Sequence, residues 1–212
     1  MKLIKPSFEI LTPKETMQNM LQRIEAAGRT CYKSEDRITS SSAEKFIAML
    51  LNRGHESVLE HEIISVRIIC DRGISHELVR HRIASFSQES TRYCDYAGEL
   101  EFIIPPWINA TTDENGDINE IFVGAARMWE TALEDCTYWY ELLRKTGWKP
   151  EQARSVLPNS LKTEIVMTCN LREWRHFFKL RTTPAAHPQM REIAIPMLAE
   201  FQQQIPIIFD SL

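Results

Sequence analysis

The 212-residue sequence contains no Gly-x-Gly-x-x-Gly, no Cys-x-x-Cys pair and no apolar run close to the ~20 residues of a membrane span. The first absence leaves a Rossmann dinucleotide site without support. The second, with five widely spaced cysteines at positions 31, 70, 94, 136 and 169, argues against a disulfide framework or a zinc cluster and for small buried thiols in a reducing compartment. Excess base is also missing. Lys and Arg number 25 against 29 Asp and Glu, for a net charge of -4 and a pI of about 5.9. A general nucleic-acid binder is more often basic. Neither an internal repeat nor a low-complexity linker occurs. Lys5 and Pro6 interrupt the opening apolar stretch before it reaches the length of a signal-peptide core, so a cytoplasmic protein is expected. What remains is ordinary globular composition, 43% hydrophobic and 25% charged. The length fits one domain, residues 1–212, with a substantial core.

Patterning gives a mixed order of helices and strands. Thr12-Pro13-Lys14-Glu15 has the form of a capping box with Pro at the first helical position. The helix behind it carries Met17, Met20, Leu21 and Ile24 and is expected to end at Gly28. A second helix is expected from Ser41, burying Phe46, Ile47, Leu50 and Leu51 and closing at Gly54. Residues 63–70 are β-branched enough for a strand. A short helix is expected from Ser75 to about Arg82, a shaped loop over 85–93, and a short strand over 101–104 before Pro105-Pro106. Residues 113–117 form a polar turn, with Asp117 and Glu120 boxing the start of a long helix. Phe122, Ala126, Trp129, Leu133, Cys136, Tyr140 and Leu143 stripe that helix, as core or subunit interface, and Gly147 ends it. Pro150 opens a short helix that stops before Pro158, and 163–169 reads as a strand. Asn170 caps a helix running to Arg181, and a last helix covers 189–204 with a kink expected at Pro196. No βαβ rhythm is present, so the class is α+β.

Chemistry concentrates in Arg80-His81-Arg82-Ile83-Ala84-Ser85-Phe86-Ser87-Gln88-Glu89-Ser90-Thr91-Arg92-Tyr93. Unit charges ~4 Å apart repel by about 4 kcal/mol at an effective dielectric of roughly 20, so clustered guanidiniums need either solvent or an anion. Hydroxyls, an amide and a further Arg are the groups that hold phosphate oxygens. From the residues alone, a phosphate or nucleotide site and a solvated cluster both stand. A second cationic group, Arg172, Arg175, His176, Lys179 and Arg181, lies on one expected helix with Glu173 its only acid. Arg154 is isolated in an apolar stretch. His55, Glu56, Glu60 and His61 follow Gly54, but no familiar metal spacing is present and helix capping or pocket hydrogen bonding is the expected role; no metal is expected.

Arg80-His81-Arg82, seven residues, then Ser90 resembles the signature of the flavin-dependent thymidylate synthases. Gly54-His55-Glu56-Ser57 with Glu60-His61 resembles that family's upstream His-Glu motif. Ala153-Arg154-x-Val156-Leu157-Pro158 resembles its downstream Arg motif, and the segment from Asn170 to Arg181 its last binding helix. The four motifs stand in the family's order between about residue 54 and residue 192.

The resemblance implies an α+β subunit with a central antiparallel sheet flanked by helices. It implies a methyltransferase that converts dUMP to dTMP with FAD as cofactor, 5,10-methylenetetrahydrofolate as carbon donor and NADPH as reductant. It also implies a homotetramer with shared active sites. Carried over residue by residue, Ser57, Arg80, His81, Arg82, Gln88, Asn170, Arg172 and His176 would contact FAD. Glu77, Arg80, Gln88, Ser90, Arg92, Arg154 and Arg181 would contact dUMP. Arg181 would be catalytic, stabilising negative charge on the N3/O4 side of the uracil. Positions 57, 77, 88 and 176 carry polar residues that differ from those of some relatives, and the variable spacing after Arg181 leaves the role of His187 open. Ser90 is read as a substrate contact rather than a nucleophile, since no activating base is visible in the sequence. Three alternatives remain: a flavin and nucleotide binder without methylation, a nucleic-acid module built on the two Arg clusters, and a Ser90 hydrolase. The acidic balance and the lack of interleaved surface aromatics count against the nucleic-acid module.

Overall fold

A computed structural model gives the fold and describes residues 1–109 and 120–212. In chain order the elements are β1 (Lys2–Ile4), β2 (Ser7–Ile10), α1 (Lys14–Gln18), α2 (Met20–Thr30), α3 (Ala43–Asn52), β3 (Ile63–Asp71), α4 (Arg72–Leu78), β4 (Ser85–Gln88), β5 (Glu101–Ile103), α5 (Glu120–Lys145), α6 (Pro150–Ala153), β6 (Lys162–Asn170), α7 (Leu171–Arg181), α8 (Pro188–Gln204) and α9 (Pro206–Phe209). The polar turn at 113–117 and the cap at Asp117 lie outside the described residues. No helix among the described residues is long and apolar enough to cross a membrane.

The main sheet has the order β2-β3-β6-β4, and β1 pairs with β5 in a small parallel sheet, Leu3 opposite Phe102. Partners along β3 and β6 step in opposite directions. Leu171 N donates to Glu62 O at 3.0 Å, Ser65 Oγ meets Thr168 Oγ1 at 2.7 Å, and Arg72 N donates to Leu161 O at 3.1 Å. β2 and β3 do the same, with Leu11 N on Ser65 O at 2.8 Å and Arg67 against Glu9 at 3.0 Å. The class is therefore α+β around an antiparallel sheet, as expected.

The chain groups into two compact units. The first comprises Met1–Ser7, Ile68–Leu78 and Ser87–Ile165. Its core packs Leu133 and Tyr140 of α5 against Tyr96, Leu100, Phe102 and Leu161, with Trp129 and Leu143 half-buried at the edge. Trp129, Leu133, Tyr140 and Leu143 all belong to the stripe expected from the sequence, and Gly147 ends the helix at φ 96°.

The second unit comprises Phe8–Arg67, Val79–Phe86 and Val166–Leu212. An aromatic cluster fills it. Trp174 and Phe178 stack at 5.8 Å, Phe201 meets Phe178 at 5.1 Å, and Trp174 Nε1 donates to Ile64 O at 3.0 Å, which fastens α7 to β3. β6 alternates strictly, burying Thr163, Ile165, Met167 and Cys169. A Cβ at Gly28 would lie 2.7 Å from Phe46 Cε1, so the Phe46 ring packed between α2 and α3 would have to shift to admit a side chain there.

Several local expectations fail for identifiable reasons. The Thr12 capping box does not form, because Thr12 Oγ1 accepts from Ser65 N at 2.9 Å and α1 starts without a side-chain cap. The helix breaks at Asn19 (φ -96°, ψ 0°) and then runs past Gly28 to Thr30. The helix expected over 75–82 begins at Arg72, directly after β3, and ends at Leu78, so Arg80-His81-Arg82 sits in the turn beyond it. The expected loop over 85–93 opens as strand β4. β1 and β2 were not anticipated. All five cysteines are free, but only Cys70 and Cys169 are buried and Cys31 is exposed. Burial pushes the Cys70 and Cys169 thiols above the ordinary range, which disfavours the nucleophilic thiolate form.

Candidate active site

The sequence-predicted site residues divide between the two units. Ser57, Arg80, His81, Arg82, Asn170, Arg172, His176 and Arg181 fall in the second, and Glu77, Gln88, Ser90, Arg92 and Arg154 in the first.

In the second unit, α7 starts as the sequence indicates. Asn170 Oδ1 accepts from Glu173 N at 2.9 Å, satisfying one of the free donors of the first turn. Asn170, Arg172 and His176 line a groove of about 490 Å³ together with Lys179, Ile83 and the carboxylates Glu56, Glu60 and Glu173. The cations of this helix have acidic partners. Arg172 pairs with Glu60 at 2.5 Å, and buried Arg175 with Glu56 at 3.3 Å. Arg175 also donates to Ile208 O, so it ties down the chain terminus instead of facing a ligand. This gives the His-Glu motif its local role: Glu56 and Glu60 neutralise α7, while His55, Ser57 and His61 are exposed beside them.

His81 is the centre of the arrangement. It is 5% exposed and packs edge-on to Phe177 at 5.0 Å and His176 at 5.9 Å. Its Nδ1 lies 3.1 Å from Glu173 Oε1, and Arg181 Nε donates to its Nε2 at 3.1 Å. A guanidinium N–H is always a donor, so Nε2 must be bare. A carboxylate only accepts, so Nδ1 must carry the proton. Both partners therefore select the same neutral tautomer. Burial pushes the His81 pKa below the usual imidazole value, and the Arg181 charge lowers it further, against an opposing pull from Glu173. Arg80 and Arg82 are exposed and have no ion-pair partner among the described residues.

Among the described residues the one group with metal-ligand atoms in mutual reach is His81, Glu173 and His176, within 4.8 Å, and not the His55 and His61 pair. Both nitrogens of His81 are already engaged, so a cation there has to displace a guanidinium.

In the first unit, Gln88 Nε2 donates to Ser75 Oγ at 2.9 Å and Thr163 Oγ1 at 3.1 Å, which fixes the amide and leaves its carbonyl oxygen to accept. Arg154 donates to Thr91 Oγ1 at 3.0 Å, and Arg92 lies 4.0 Å from Glu151. Ser90 Oγ accepts from Arg92 N at 3.3 Å, and no histidine or carboxylate hydrogen-bonds to it among the described residues. That leaves a Ser90 hydrolase without its base. Glu77 is half-buried near the end of α4. Contrary to the expectation of no interleaved surface aromatics, Tyr93 is 78% exposed with Arg92 over its ring at 5.3 Å, so a surface aromatic stands beside the cationic motif.

Sequence reasoning missed Glu173 as a partner of His81. It read this residue only through the helix N-terminus, and the contact joins positions 92 residues apart.

An α+β chain with exposed guanidiniums at Arg80 and Arg82, and with Gln88 and Arg154 side chains held by hydrogen bonds, carries the groups that suit an anionic, nucleotide-like ligand. Comparison with known proteins narrows the class. The family described as thymidylate synthase complementing protein matches residues 14–207. The flavin-dependent thymidylate synthase of Geobacter sulfurreducens is 35% identical over 191 residues, covering 86% of this chain and 78% of its own. That of Pyrococcus furiosus is 35% identical over 181 residues, covering 84% and 70%. Among solved structures, the UMP/dUMP methylase PolB of Streptomyces cacaoi bound with 5-Br dUMP is 25% identical, with a TM-score of 0.76 over 99% of this chain and 96% of that one. The chain belongs to the family of flavin-dependent thymidylate synthases.

Proposed function

We propose that this chain catalyses the reductive methylation of dUMP to dTMP, converting 5,10-methylenetetrahydrofolate to tetrahydrofolate and NADPH to NADP. Family membership supports the reaction, and the donor set fits the cofactor. Arg80 and Arg82 offer free guanidiniums suited to a pyrophosphate. Asn170, Arg172 and His176 offer amide, guanidinium and imidazole groups along one groove. With Ser57 and Gln88 these would hold FAD, which when bound supplies the hydride chemistry, while His81, buried with both ring nitrogens engaged, would support the site through Arg181 instead of hydrogen-bonding the cofactor.

The protein's own residues do the rest. Gln88, Ser90, Arg92 and Arg154, with Glu77 and Arg80, hold the dUMP phosphate, sugar and base. Arg181 stabilises the negative charge that gathers on the N3/O4 edge of the uracil as C5 becomes nucleophilic. The single observation that carries this role is the fixed Arg181 Nε, 3.1 Å from an unprotonated imidazole nitrogen, so its charge is pre-aimed instead of solvated. The whole of residues 1–212 acts as one functional domain, in the cytoplasm, as a homotetramer whose subunits share active sites.

The test is Arg181→Ala. It is expected to lower dTMP formation by at least ~10²- to 10³-fold, the effect of removing a preorganised charge, while flavin titration stays close to wild type. Undiminished dTMP formation would remove Arg181 from the chemistry.

A further inference from the structure

Glu173 is a carboxylate at the third position of α7, 7% exposed, and its backbone N–H is already satisfied by Asn170. A buried carboxylate needs donors, or its desolvation goes uncompensated. The helix N-terminus supplies part of that. The side chain's hydrogen bond is to His81 Nδ1 at 3.1 Å. The imidazole is in turn clamped by Phe177 and presents Nε2 to Arg181 at 3.1 Å. A free neutral imidazole can carry its proton on either nitrogen, and on Nε2 it would set one N–H against the N–H of Arg181. Only the Nδ1-protonated form can hold the guanidinium, and Glu173 is the group positioned to select it.

We infer that Glu173 is a positioning residue, which fixes His81 in the Nδ1–H tautomer and through it aims the Arg181 guanidinium. In this role Glu173 acts through His81, although its side chain also lines the groove beside His176. It acts by the same logic as a carboxylate that orients a ligating or catalytic histidine from behind. The consequence for turnover rests on the proposed role of Arg181, but the tautomer does not, so the two can be tested apart.

The experiment uses the full chain with nitrogen-15-labelled histidine. The chain has six histidines, so a His81→Asn difference spectrum assigns the ring. Wild-type protein is expected to show a protonated Nδ1 and a bare Nε2 at His81. Glu173→Ala removes one of the two partners that select this tautomer, leaving Arg181 alone, and is expected to let a measurable fraction of the Nε2-protonated form appear. Glu173→Gln keeps an acceptor of the same shape and so keeps the tautomer, but it moves the Nδ1 proton resonance upfield as a charge-assisted bond becomes a neutral one. If the Ala variant fails to fold, the Gln variant still decides. A wild-type His81 protonated on Nε2, a folded Ala variant with an unchanged tautomer, or a Gln variant with an unmoved resonance would each overturn the inference. In turnover, Glu173→Ala should lower kcat roughly ten- to a hundredfold with little change in the KM for dUMP, and Glu173→Gln should recover much of it. An altered tautomer with unaltered kcat would leave the positioning of His81 standing and sink only its link to catalysis through Arg181.

Discussion

His81 lies between a carboxylate and a guanidinium, and the balance of burial and charge there sets a pH dependence. Its folded pKa is held below the ~6.5 of an exposed histidine. Between those two values the unfolded chain binds a proton that the folded chain does not, so stability falls as pH drops through and below about 6.5. Denaturant midpoints at pH 7.5 and 5.5 should show that loss. His81→Asn cannot titrate and should reduce it; an equally large loss in the variant would contradict the assignment. At the same scale, Arg82 is exposed and carries no compensating acid among the described residues. If it meets a flavin phosphate, Arg82→Ala forfeits a charged hydrogen bond, which weakens FAD affinity by about tenfold or more. Flavin titration that gives an unchanged Kd would argue that Arg82 is merely solvated.

Among the elements, α7 joins the core to the candidate site: Trp174, Phe177 and Phe178 face the core, while Asn170, Arg172 and His176 line the groove. Its start depends on the Asn170 cap, so Asn170→Ala should cost about 1 kcal/mol of stability, whereas Asn170→Ser keeps an acceptor and most of that energy. Chemical denaturation of the two variants tests this, and equal stability would show that the cap contributes nothing. This element was legible in the sequence because its signals are local: a cap, an acid three residues on, and periodic aromatics. β3 and β6 were legible through β-branched runs and alternation. β1, β2 and β4 were not, since strands of three or four residues carry too little pattern unless a boundary marks them, as Pro105-Pro106 marks β5. The Thr12 box misled for a related reason: its hydroxyl is claimed by Ser65, 53 positions away. The candidate site residues stand in recognisable motifs, but the Glu173–His81–Arg181 chain was not legible, because no local pattern reports a hydrogen bond between remote segments.

At the scale of the whole molecule, α5 leaves a second apolar face uncovered. Met128 is 76% exposed, Tyr138 59% and Trp139 52%, besides the stripe that packs inward. Large exposed side chains grouped on one helix are the surface expected of a subunit interface. Association into the proposed homotetramer should give a sedimenting mass about four times the 24.7 kDa of the chain; a monomer at micromolar concentration would contradict it. The central claim, methylation at C5 of dUMP, has a direct readout in tritium release from dUMP labelled at C5. Release that requires FAD, NADPH and methylenetetrahydrofolate together, with dTMP recovered, is the expected result. No release from folded, flavin-loaded protein would contradict the claim and leave a nucleotide binder. No release with no flavin bound, and salt-dependent retention of oligonucleotides instead, would move the function to the Arg clusters as a nucleic-acid surface.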